Sequence, residues 1–136
     1  MRPVFTKKQM MAHVNDDEDF AEWYADDFMK RFLPEFYFSV SAQGKKEMII
    51  NGRHTAKFYN FQDSEAQAHF ITLMWKIGPN FFEHPGFNEI ALNSKQDDMQ
   101  RIEAFYRVPK DKAAYAIMNP DDSYWYRNPM KYGEAP

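Results

Sequence analysis

Between residues 16 and 33 the apolar positions recur at helical spacing. Phe20, Trp23, Tyr24, Phe28 and Phe32 fall on one side, and Glu18, Glu22, Asp26 and Lys30 on another. Asp16 or Asp17 can cap this helix, acids fill its first turn, Lys30 and Arg31 close it, and Pro34 stops it. A shorter helix carrying Met10, Met11 and Val14 is expected after Thr6. From Phe36 the period changes to two. Phe36, Phe38 and Val40 alternate with Tyr37, Ser39 and Ser41, and Gln43-Gly44-Lys45 reads as a turn. Met48-Ile49-Ile50 reads as a second strand, and Asn51-Gly52 as a hairpin turn into a third strand at about 54 to 59.

The helical period returns over 64 to 77, where Asp63 or Ser64 caps a stripe of Phe70, Leu73, Met74 and Ile77, and Gly78-Pro79 ends it. Residues 80 to 93 read as a loop around Pro85-Gly86. A helix over about 95 to 107 follows, with Ser94 as cap and Met99, Ile102, Phe105 and Tyr106 inward. Residues 110 to 118 fit strand or helix equally. From Asn119 the chain is irregular, and Tyr124-Trp125-Tyr126 either packs this tail down or leaves it a mobile segment for a partner. The sum is an α+β class chain: one domain over 1–136 with helices packed on a small antiparallel β-meander.

Composition adds a dense supply of rings, 13 Phe, 8 Tyr and 3 Trp in 136 residues, with nine Met as adaptable filler. There is no Cys, which removes disulfides, thiolate nucleophiles and Cys-based metal sites. The basic N-terminal residues are not followed by an apolar run of signal-peptide length. No window reaches the ~18 apolar residues of a membrane span, so the expectation is a cytoplasmic protein with no membrane partner. A net charge of −3 disfavours nucleic acid as the main partner.

Candidate chemistry is sparse. The densest feature is a run of seven carboxylates with no base among them: Asp16, Asp17, Glu18, Asp19, Glu22, Asp26 and Asp27. Its ordinary explanation is a solvated helix start. Its functional one is a negative face that steers a basic protein. The histidines His13, His54, His69 and His84 are scattered, and Glu65 with His69 is a four-residue spacing common by chance. No metal-ligand motif, glycine-rich phosphate loop or Gly-x-Ser-x-Gly elbow is present, and no metal or cofactor is expected. Lys45, Lys46, Arg53 and Lys57 beside Phe58 and Tyr59 form the one basic patch, without an RNA-binding signature. The loop from Gly78 to Phe87 could wall a pocket with Glu83 and His84 as polar groups. A corner pinned into the core by its Phe residues is the favoured reading.

The leading expectation is a small acidic protein-binding module rather than an enzyme. Its most concrete form is an immunity-type inhibitor that neutralises a basic cytoplasmic toxin. Asp16, Asp17, Asp19, Glu22, Asp26 and Asp27 would steer the partner, and Trp23, Trp125 and Tyr126 would anchor it. The alternative is a small-molecule-binding protein or small enzyme with an aromatic-lined pocket, served by His54, Glu65, His69 and His84. A homodimeric structural subunit ranks third.

Overall fold

The computed structural model describes residues 16–129, and every regular element in that range is helical. Helix α1 (Asp17–Trp23) starts at Asp16, whose carboxylate accepts from the Asp19 amide at 2.7 Å. It runs on through a π-helical stretch, Tyr24–Met29, into α2 (Lys30–Phe32). The wide π turn puts Tyr24, Ala25, Phe28 and Met29 on the buried side and turns Asp26 and Asp27 outward. Leu33 leaves the helix (φ −133°, ψ 52°), and Pro34 both ends α2 and opens α3 (Pro34–Ser39).

The expected β-meander does not exist. Residues 36–41 lie in and just after α3, and the two further predicted strands are a single 17-residue helix, α4 (Ala42–Phe58). Ser41 caps α4 by accepting from the Gly44 amide at 3.0 Å, so the supposed Gly44 turn is a first helical turn. Asn51-Gly52 is likewise helix interior. A Cβ on Gly52 would lie 3.1 Å from Ile71 Cγ1 and 3.2 Å from Met74 Sδ. Glycine is there because α4 and α5 cross closely, and it makes no turn. The alternation of Phe36, Phe38 and Val40 carries no sheet: Phe36 packs on Trp75, while Phe38 is 72% exposed.

Helix α5 (Ser64–Lys76), capped by Asp63, is the central element, and Ala66 through Trp75 are all buried. The stretch expected to be a loop holds a 3₁₀ turn, Phe81–Glu83, and the short α6 (Asn88–Ala91), with Phe81, Phe82 and Phe87 buried as a pinned corner. Helix α7 (Asp98–Tyr106) opens with a capping box between Asp97 and Gln100, three residues beyond the expected Ser94 cap. Residues 110–118 resolve as helix α8 (Lys110–Met118), and a 3₁₀ turn, Asp122–Tyr126, brings the chain back to α4 and α5. The expected helix after Thr6 lies outside the described residues.

The core is one ring-filled cluster. Phe70 meets Phe61, Phe81 and Phe82 at centroid distances of 5.3, 5.1 and 5.4 Å, and Trp75 packs on Trp125 at 4.3 Å. Arg101, 1% exposed, ties its edge together. It donates to the carbonyls of Tyr59, Ala91 and Asn60 at 2.8, 2.9 and 3.1 Å while lying 3.7 Å from the centre of the Phe61 ring. No helix among the described residues is long and apolar enough to cross a membrane.

Candidate functional site

The acidic run divides into two sets once α1 lies against α4. Asp16 is the helix cap. Asp17 turns inward to three α4 side chains: Arg53 at 3.1 Å, His54 at 2.6 Å and Lys57 at 4.0 Å. Glu18 pairs with Lys46. The remaining four, Asp19, Glu22, Asp26 and Asp27, are exposed, and no Lys, Arg or His of the described residues ion-pairs with them. Spaced by three, four and one residues on a helix that widens into a π turn, all four line one shallow cleft of about 280 Å³. The Trp23 ring lies at its base, itself buried in the core. Tyr37 donates to Asp26 at 3.1 Å, and that bond raises the phenol above its ordinary pKa.

The anchors expected for a partner fare differently. Trp23 and Trp125 are buried, so neither can insert into a partner; they are core residues, and the composition signal for rings was a core signal. Tyr126 is 62% exposed but does not line the acidic cleft. The basic patch is spent inside the molecule. Lys45 donates to the carbonyls of Tyr37 and Val40, both at 2.9 Å, closing the end of α3, while Lys46, Arg53 and Lys57 face α1.

The four pocket candidates do not converge. His69 is buried, with Nδ1 3.1 Å from the Tyr106 hydroxyl and Nε2 3.9 Å from Glu65. His84 Nε2 meets the Asn119 carbonyl at 3.0 Å. His54 belongs to a polar relay that periodicity could not disclose, because its members lie 74 and 37 residues away. His54 Nε2 faces Asp17 Oδ2 at 2.6 Å and Nδ1 faces Asn128 Oδ1 at 2.9 Å. Asn128 Nδ2 donates to Asn51 Oδ1, and Asn51 Nδ2 to the Trp125 carbonyl, both at 2.9 Å. Arg53 extends the network by donating through Nε to Gln67 Oε1 at 2.9 Å. Among the described residues, no three or more His, Asp or Glu gather as a metal-holding group.

Burial pulls the Asp17 carboxyl upward, but the hydrogen bond and charge of His54, with the charges of Lys57 and Arg53, outweigh it and hold the carboxyl below its ordinary 3.8. A carboxyl whose folded-state pKa is depressed contributes stability above the unfolded value and loses it as pH falls through the folded one. Asp17→Asn is therefore expected to flatten the acid side of the stability–pH curve below about pH 4. At neutral pH it costs about 1–3 kcal/mol, since the mostly buried Arg53 loses its charged acceptor. Urea melts of the two proteins between acid and neutral pH check both expectations.

Compared with protein-family models, curated proteins and solved structures, the chain matches none.

Proposed function

We propose that this chain is a protein-binding module that docks a basic protein through Asp19, Glu22, Asp26 and Asp27, most concretely as an immunity-type inhibitor of a basic cytoplasmic toxin. One observation carries the reading: α4 supplies cations to Asp17 and Glu18 and leaves these four carboxylates exposed, clustered and without an ion-pair partner among the described residues. Like charges held this close repel, and an opposing basic surface relieves that repulsion while drawing the partner in. The pocket alternative lacks comparable support, because the rings fill the core and its polar candidates point to three separate places.

Affinity purification of the tagged chain from its native host at low salt tests the proposal, run beside the variant Asp19→Asn/Glu22→Gln/Asp26→Asn/Asp27→Asn. The expected result is one stoichiometric basic protein on the wild type, released by moderate salt and missing from the variant. Equal recovery on both, or a partner indifferent to salt, would overturn it. Because the four side chains are exposed, the variant's melting temperature is expected to stay near that of the wild type.

A further inference from the structure

The hydrogen-bond directions in the His54 relay follow from its far end. A carbonyl only accepts, so Asn51 must present its Nδ2 to the Trp125 carbonyl, at 2.9 Å. That leaves Asn51 Oδ1 as an acceptor, and Asn128 must offer it Nδ2. Asn128 Oδ1 is then the atom facing His54 Nδ1, which must carry a proton and donate it. On the other side of the ring, Nε2 faces an ionised carboxylate, Asp17, which also only accepts. Both ring nitrogens therefore point at acceptors, and only the doubly protonated imidazolium satisfies both. Loss of either proton sets a lone pair against an oxygen lone pair and breaks one link.

What the relay holds is specific. On the Asn128 side it holds the segment Asp122–Pro129, whose Trp125 covers Trp75. On the Asp17 side it holds the start of α1. The charged groups facing the ring come from both helices. Asp17 and Glu18 of α1 and Glu47 of α4 favour its positive charge, while Lys46, Arg53 and Lys57 of α4 oppose it. From the carboxy-terminal segment the neutral Asn128 amide faces it, among the described residues. Glu18, Lys46 and Glu47 line an open cleft of about 400 Å³ with His54, Asn51 and Asn128, so solvent protons reach the relay without unfolding.

We propose that His54 is a proton-controlled latch: it clasps the segment Asp122–Pro129 onto α4 while it carries both ring protons, and frees that segment when it loses one. The device is independent of the acidic cleft and stands or falls separately from the partner-docking proposal. The segment is held at low pH and released as pH rises.

Amide hydrogen exchange of the full chain, followed by NMR at about pH 5 and about pH 9 and corrected for the intrinsic pH dependence of exchange, tests it. The readout is the Arg127 amide, which donates within the segment to the Tyr124 carbonyl. In the wild type its protection is expected to fall roughly tenfold or more with rising pH, the worth of one hydrogen bond to a charged group. Amides of α5 are expected to stay protected, which marks the opening as local. In His54→Gln, which has no titrating ring, the fall is expected to vanish, while His84→Gln is expected to retain it. Asn128→Ala removes the acceptor and is expected to leave Arg127 poorly protected at both pH values. A flat wild-type profile, or a fall that persists in His54→Gln, would overturn the latch. If His54→Gln does not fold, a fall that persists in Asn128→Ala overturns it equally.

Discussion

Replacing Phe70 by alanine is expected to cost about 3–5 kcal/mol, enough to lower the melting temperature by roughly 10–20 °C. Phe70 is fully buried on α5, and its ring is flanked by Tyr59, Phe61, Phe81, Phe82 and Phe105. Those neighbours come from the turn that follows α4, the 3₁₀ corner and α7, so the void would sit where these three segments meet α5 and no single one can close it. Rigid rings also collapse poorly into a gap, which keeps the cavity contribution high. Phe70→Leu preserves most of the volume and is expected to cost less than about 2 kcal/mol. Phe38→Ala, at a ring that is 72% exposed, is expected to fall within about 0.5 kcal/mol of wild type. Chemical denaturation of the three variants checks the ranking, and a Phe70→Ala cost near that of Phe38→Ala would refute the ring-filled core.

Arg101→Ala is expected to destabilise by a similar amount, about 3–5 kcal/mol, for a different reason. The Arg101 guanidinium is the donor for three backbone carbonyls, those of Tyr59, Asn60 and Ala91, at the junction between α4, α5 and α6. Asn60 is held in the left-handed region, at φ 69°, which for a residue other than glycine persists only when the surroundings fix it. Removing the guanidinium leaves the carbonyls without their donor, and also exposes the Phe61 face that the cation covers. Arg101→Lys is expected to recover less than half of the loss, because one ammonium cannot reproduce a planar fork spread over three acceptors. Equilibrium urea melts of both variants check this, and a Lys variant as stable as wild type would show that charge alone suffices.

The helices legible from periodicity are those that carry a continuous apolar stripe. In α1 the stripe of Phe20, Trp23, Tyr24 and Phe28 is uninterrupted, and in α5 Phe70, Leu73 and Met74 mark the face. Helix α4 shows no such stripe, because its buried face mixes Met48, Ile49 and Ala56 with Lys45, Asn51, Gly52, Arg53 and Thr55. Lys45 and Thr55 bond to nearby carbonyls, but Asn51 and Arg53 go inside because they find partners far off in sequence, Asn51 at Trp125 and Arg53 at Asp17 and Gln67. No local pattern reveals such pairings. With the apolar stripe hidden, the Asn51-Gly52 turn signal and the short Phe36–Val40 alternation predict a hairpin where a helix forms.

The candidate site was legible in the same partial way. Seven carboxylates in twelve positions are plain in the sequence, and so is their placement at a helix start. Which of them stay free depends on how α4 lies across α1, since that contact consumes Asp17 and Glu18 and spares Asp19, Glu22, Asp26 and Asp27. The π stretch, which sets the spacing of the last two, has no sequence signature that distinguishes it from an ordinary turn. His54 is a pocket candidate in the sequence, but its place in the relay has no signal there, because its partners Asp17 and Asn128 meet only in three dimensions.

The central claim is that the four exposed carboxylates steer a basic partner, and the association rate constant measured against ionic strength tests it most directly. With the captured partner, the wild-type rate is predicted to fall steeply as salt rises. The variant neutralised at Asp19, Glu22, Asp26 and Asp27 is predicted to bind roughly 10- to 1,000-fold more slowly at low salt, with little dependence on it. Equal rates and equal salt slopes for the two proteins would contradict the account.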